Sequence, residues 1–139
     1  QQMYMMKNLT VLDNILLPSY QSKRNTKSRK EKAEYGKELM RKLGIIEVAD
    51  NDISEVSGGQ LQRACICRSM INHPKMIFAD EPTGALNRAS SDEVMDELIK
   101  INAEGTTILL VTHVQECCIL LMEILQENII SVYLHKKMN

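Results

Sequence analysis

The stretch that most restricts the fold is Met76-Ile77-Phe78-Ala79, four apolar residues in a row that stop at Asp80-Glu81-Pro82. A strand with one wet face alternates apolar and polar residues. A run that is apolar at every position instead suits a strand covered on both faces, the habit of parallel sheets. A second such run, Ile108-Leu109-Leu110-Val111 within Thr106 to Thr112, follows a segment whose Val94, Met95, Leu98, Ile99 and Ile101 fall at helical spacing. Ser90 and Glu93 read as the capping box of that helix, and Gly105 as its close. Strand, helix, strand is a βαβ unit, and the fold class it implies is α/β. Ligands in such sheets bind at the carboxyl ends of the strands, where Asp80, Glu81 and His113 all fall.

Upstream the pattern is helical. Leu9, Val11, Leu12, Ile15 and Leu16 predict a short amphipathic helix with Thr10 as N-cap and Pro18 as the stop. Ala33, Gly36, Leu39, Met40 and Leu43 line a second helix ending at Gly44, and Ile45, Ile46, Val48 and Ala49 form an apolar step before the Asp50-Asn51-Asp52 turn. A third helix is predicted from Gln60 to His73, ended by Pro74, with Leu61, Ala64, Cys65, Arg68 and Ile71 along one side. After His113, Ile119 to Leu125 is apolar, Gln126-Glu127-Asn128 suits a turn, and Ile129 to Leu134 alternates weakly; a terminal β-hairpin and an irregular helix both fit.

Composition narrows the function classes. The 139 residues carry 17 Lys+Arg against 18 Asp+Glu, a net charge of -1, which predicts no strong pull toward nucleic acid or membrane. At 44% hydrophobic and 25% charged the chain reads as globular. Its longest apolar run, Cys117 to Met122, falls far short of a membrane span, and no basic-then-apolar leader opens the chain. Six of the ten residues from Lys23 to Lys32 are basic, but the run contains no aromatic residue for base stacking and leads into a helix with Glu31, Glu34 and Glu38, so a solvated loop and helix start are expected. Cys65, Cys67, Cys117 and Cys118 lack the spacing of a zinc site and read as small hydrophobes in a reducing compartment. His73 and His135 read as ordinary polar residues.

Two groups of residues can carry chemistry. Val56-Ser57-Gly58-Gly59-Gln60 opens a helix with two residues that have no side chain, so backbone N–H groups at the positive end of the helix dipole stand open to an anion. Taken alone, the segment is better read as an ordinary Ser-capped helix with a glycine-rich entry. Asp80-Glu81 suits a division of labour in which one carboxylate holds magnesium and the other polarises a water.

In this order and spacing the segments resemble the ATP-binding cassette (ABC) family of transporter ATPases. Val56-Ser57-Gly58-Gly59-Gln60-Leu61-Gln62-Arg63 resembles the family signature, with Val56 where Leu is usual; Met76 to Pro82 resembles the Walker B strand; Gly84-Ala85-Leu86-Asn87 resembles the D-loop, with Asn87 where most cassettes have Asp; and Val111-Thr112-His113 ends in the switch histidine. Gln1-Gln2 followed by Leu9 to Asn14 resembles the Q-loop and its helix. Thr83-Gly84-Ala85-Leu86-Asn87, with Leu16-Leu17-Pro18 upstream, is most similar to the branch serving lipoprotein-release, macrolide and antimicrobial-peptide exporters.

The resemblance implies a partial P-loop NTPase core of the RecA-like kind joined to the ABC helical subdomain: residues 1–73 as Q-loop and helical subdomain, residues 74–139 as the C-terminal part of the core. It implies ATP and Mg as cofactors, a second ABC ATPase subunit and a membrane permease subunit as partners, and a cytoplasmic place on the inner face of the plasma membrane. By position, Ser57, Gly58, Gly59 and Gln60 would cap the γ-phosphate in the partner cassette, Asp80 would hold magnesium through water, and Glu81 would be the general base. His113 would bind the γ-phosphate, Asn87 would act across the dimer interface, and Gln1 would couple the metal to the membrane subunit. No stretch fits Gly-x-x-x-x-Gly-Lys-[Ser/Thr]; the single Gly-Lys, Gly36-Lys37, lies inside a helix. The expectations are therefore a fragment beginning at the Q-loop, inactive alone, or a truncated cassette that docks on a complete partner without catalysis. Nucleic-acid work in the manner of chromosome-maintenance cassettes is not expected, since no coiled-coil heptads flank the signature.

Overall fold

The computed structural model describes residues 5–112 and the backbone of residues 131–133. The chain divides into two compact units, one up to Pro74 and one from Lys75 onward.

The first unit is helical. Helix α1 runs Val11–Gln21, α2 Arg29–Lys42 and α3 Gly58–Met70, with single 3-10 turns at Ile46–Val48 and Ile53–Glu55. Thr10 caps α1, its hydroxyl accepting from Asp13 N–H at 3.1 Å. The N–H groups of Val11 and Leu12 donate to the carbonyls of Asn51 and Ala49. The apolar step after α2 thus closes the start of α1. Asn14, fully buried, accepts Met6 N–H at 2.7 Å and donates to the carbonyls of Met6, Leu9 and Thr10, which fixes the entry to the helix.

Pro18 does not stop α1 but lies inside it. The helix continues through it, with Ser22 N–H on Pro18 O at 3.2 Å, and side chains anchor this last turn: Asn72 Nδ2 reaches Pro18 O at 3.1 Å and Lys32 Nζ reaches Ser19 O at 2.9 Å. A Cβ on Gly36 would stand 2.9 Å from Leu16 Cδ2, so the glycine lets α2 lie against α1.

The third helix begins earlier and ends earlier than its spacing suggested. Ser57 is the cap, the last helical residue is Met70, and His73 leaves the helix in a left-handed conformation with φ 50 directly before Pro74. Its buried side is Gly59, Ala64, Ile66, Cys67 and Met70, whereas Leu61, Cys65 and Arg68 are half-buried. Loop and helix start do carry the basic run, with Ser28 and Glu31 forming a reciprocal capping box on α2.

In the second unit β1 (Met76–Asp80) pairs in parallel with β2 (Thr107–Val111), Met76 opposite Thr107 and Asp80 opposite Val111, and α4 (Arg88–Ala103) makes the crossover. Val94, Met95, Leu98 and Ile101 of α4 are buried, as are Ile108 and Leu110 of β2. β3, Ser131–Tyr133, adds in parallel on the far side of β2; the remainder of the terminal segment lies outside the described residues. Two expectations fail here. β1 is not buried on both faces: Ile77 is inside, but Met76 is 47% and Phe78 72% exposed. The cap of α4 is Asn87, whose side chain accepts from Ser90 N–H at 2.9 Å, so the helix starts at Arg88 and Ser90 sits within its first turn.

Candidate functional site

The turn that opens α3 uses up its own polar side chains. Ser57 Oγ accepts from Gln60 N–H at 3.2 Å, Gln60 Oε1 accepts from Ser57 N–H at 2.9 Å, and Ser57 O accepts from Leu61 N–H at 2.9 Å. A helix start leaves its first donors outside the intrahelical ladder, and this cap serves all but those of the first two helical residues, Gly58 and Gly59. Those N–H groups stand at the positive end of a 13-residue helix, on two residues without side chains, of which Gly58 is exposed and Gly59 buried. Gln60 Nε2 donates to Glu47 Oε1 at 3.2 Å, tying the turn to the 3-10 turn at Ile46–Val48. Sequence reasoning passed over Glu47, which lies 13 positions away in a segment read only as an apolar step.

The second group gathers at the carboxyl end of β1. Asp80 is exposed and Glu81 half-buried. Glu81 has φ 47, a left-handed conformation rarely adopted by residues other than glycine and one that costs on the order of 1 kcal/mol or more. It is held there by Glu81 N–H donating to Val111 O at 2.8 Å and by Glu81 O accepting from Gly84 N–H at 3.2 Å. Its Oε2 accepts from the hydroxyl of Thr112, a buried residue, at 3.3 Å. Thr112 is a second residue that sequence reasoning did not assign to the site, although it directly precedes His113. The turn through Pro82 and Thr83 closes with Leu86 N–H on Thr83 O at 3.0 Å and delivers Asn87 to cap α4.

The donors suit a hard cation only in part. Asp80 and Glu81 offer carboxylate oxygens, yet no group of three His, Cys, Asp or Glu side chains able to hold a metal occurs among the described residues. Such a pair supplies one or two ligands to magnesium, which habitually takes the rest from water and phosphate. Gln1 and His113 lie outside the described residues, and the signature turn and the carboxylates belong to different units. Cys65, half-buried on α3, offers no reactive thiolate, because burial pushes its pKa up more than Arg68 lowers it. No helix among the described residues is long and apolar enough to cross a membrane.

Comparison with known proteins gives a consistent set of relatives. The ABC transporter family model matches residues 1–84. The chain is 43% identical over 116 residues to the uncharacterized ABC transporter ATP-binding protein YknY of Bacillus subtilis, covering 84% of this chain and 49% of that protein. It is 41% identical over 113 residues to the lipoprotein-releasing system ATP-binding protein LolD of Aquifex aeolicus, covering 81% and 49%. To the macrolide export ATP-binding/permease protein MacB of Neisseria meningitidis it is 40% identical, covering 81% of this chain and 17% of that one. The dimeric post-hydrolysis structure of the ATP-binding cassette MJ0796 bound to ADP and Pi superimposes with a TM-score of 0.74 at 33% identity, over 84% of this chain and 51% of the other. The chain therefore spans about half the length of the first two relatives.

Proposed function

The chain belongs to the ABC transporter family, and on that premise we propose that it is an ATPase subunit of an export-type transporter, acting as one of two head-to-tail cassettes on a membrane permease subunit. The transported molecule is of the peptide, lipoprotein or drug-like class, and the cassette sits on the cytoplasmic face of the plasma membrane. The observation that carries the reading is the self-satisfied cap of α3: Ser57 and Gln60 answer each other and leave the Gly58 and Gly59 N–H groups for an anion. That anion is the γ-phosphate of ATP held by the partner cassette.

In the chain's own site Asp80 would hold magnesium, with Gln1 as the link to the membrane subunit. When bound, the metal offsets charge on the phosphate oxygens. Glu81 takes the proton of the attacking water. The Thr112 hydroxyl on its Oε2 sets the orientation of that carboxylate, and a positioned base contributes a factor of about 10² to 10⁴. His113 binds the γ-phosphate, and Asn87 at the head of α4 acts across the dimer interface. Residues up to 73 serve as Q-loop and helical subdomain, and the remainder as the C-terminal part of the core.

A second reading is a cassette that only docks on a complete partner. Either way the 139-residue chain by itself binds ATP weakly and does not turn it over. Gel filtration of the chain with a phosphate-loop-bearing cassette of the family, with and without ATP, tests the signature assignment. An ATP-dependent pair is expected, and Gly58→Asp abolishes it by placing a carboxylate where the phosphate sits, at a helix position that tolerates acids. No pairing in ATP sinks the proposal, and Glu81-dependent hydrolysis by the chain alone would overturn its inactivity.

A further inference from the structure

The basic run acquires in three dimensions the aromatic partners that its own ten residues lack. The Arg29 guanidinium lies 5.8 Å and Lys32 Nζ 5.5 Å from the ring centroid of Tyr20, in the last turn of α1. Lys27 Nζ lies 5.1 Å over the ring of Tyr35, which also stacks on His73 at 4.4 Å. Three of six cations are thus gathered on ring faces, which holds them together despite their mutual repulsion. Lys23, Arg24, Lys27, Arg29 and Lys30 are exposed, and none forms an ion pair among the described residues. The carboxylate within the run, Glu31, accepts from Ser28 N–H at 2.8 Å and is committed to the cap of α2. Tyr20 remains 44% exposed among these cations.

We propose that this surface docks on an anionic lipid bilayer. The cations do not converge on a point: they run along the loop before α2 and into its first turn, and a loop of this length reaches up to roughly 20 Å, suiting an extended layer of phosphates. Both rings already carry partners, Arg29 and Lys32 at Tyr20 and His73 and Lys27 at Tyr35, which leaves less ring face for stacking bases. Clustered Lys and Arg beside a partly exposed Tyr is the composition that settles at the headgroup level of anionic membranes. The preference for a bilayer over an acidic protein segment rests on the proposed attachment to a membrane transporter.

Sedimentation of the full chain with phosphatidylcholine vesicles containing about a quarter phosphatidylglycerol, against vesicles of phosphatidylcholine alone, reads this directly. Binding to the anionic vesicles is expected to be at least about tenfold tighter and to weaken as salt is raised. The triple variant K27Q/R29Q/K30Q, which keeps Lys32 on Ser19 O, is expected to lose about a hundredfold in affinity at unchanged helix content. Tyr20→Leu, with charge preserved, is expected to lose a few-fold. Equal binding to neutral vesicles, or full affinity in the triple variant, overturns the proposal. So does tighter binding to a single-stranded oligonucleotide or to polyglutamate of matched charge than to the anionic vesicles. The assay contains no nucleotide and no partner cassette, so its failure leaves ATP-dependent pairing untouched, and failed pairing leaves vesicle binding intact.

Discussion

Asn14 in the helical unit is wholly buried and makes four hydrogen bonds, while Phe78 in the α/β unit stands 72% exposed in the middle of a strand. The contrast extends to their neighbours. In the helical unit, side chains distant in sequence close the irregular ends, as Asn72 and Lys32 do for the carbonyls of Pro18 and Ser19. In the α/β unit β1 has its buried side on Ile77 and its other side, Met76 and Phe78, in solvent. A helical unit of this kind is specified by polar groups that must be satisfied once buried. The strand records an apolar pattern that the described residues match on one face alone.

The sharpest way to break the contrast is Asn14→Ala. It leaves Met6 N–H without its acceptor, removes one of two donors from Met6 O and opens a hole, so a loss of about 3 kcal/mol is expected in urea unfolding of the helical unit. Within β1 two neighbours should behave oppositely: Ile77→Ala costs about 3 kcal/mol, whereas Phe78→Ser stays within about 0.5 kcal/mol, and equal losses would show that the exposed face is covered in solution. Gly36→Ala pushes a methyl against the buried Leu16, and although alanine favours the helix by about 1 kcal/mol, crowding should leave a net loss of about 1 kcal/mol in thermal unfolding.

The smallest effect concerns pH. The Ser28 hydroxyl and N–H, with Lys27, hold the Glu31 carboxyl below its ordinary value. A lowered folded-state pKa means that the cap contributes fully above the ordinary carboxylate range and is lost as pH falls through the folded value. The protection of the Ser28 amide, its exchange corrected for the intrinsic effect of pH, should therefore fall in acid for the native chain, and Glu31→Gln should remove that dependence.

Much of the fold was legible because it is written in local signals. The parallel β1-α4-β2 unit followed from two apolar runs around a helical period, and the left-handed glycines Gly44 and Gly105 mark the ends expected of α2 and α4. Ser57 and Gln60 flank the two glycines as a helix entry demands. The misses have a common cause. Pro18 was expected to stop α1 and Ser90 to cap α4, but the turn after Pro18 continues and is anchored by Asn72 and Lys32, and Asn87 competes successfully for the cap. Glu47 and Thr112 reach Gln60 and Glu81 across 13 and 31 positions, separations at which no periodicity carries information.

By itself the sequence determined the element types, the glycine-rich helix start and the carboxylates at a strand end, since each depends on residues within a turn or two of one another. Tertiary structure decided how the last turn of α1 is anchored beyond Pro18, how Glu81 is held in a left-handed backbone beside Thr112, and which face of β1 meets water. It also brought Tyr20 and Tyr35 under a basic run that seemed merely solvated. The physical reason is that hydrogen bonds and ring contacts act between neighbours in space over a few ångströms, whereas propensity and periodicity act only between neighbours along the chain.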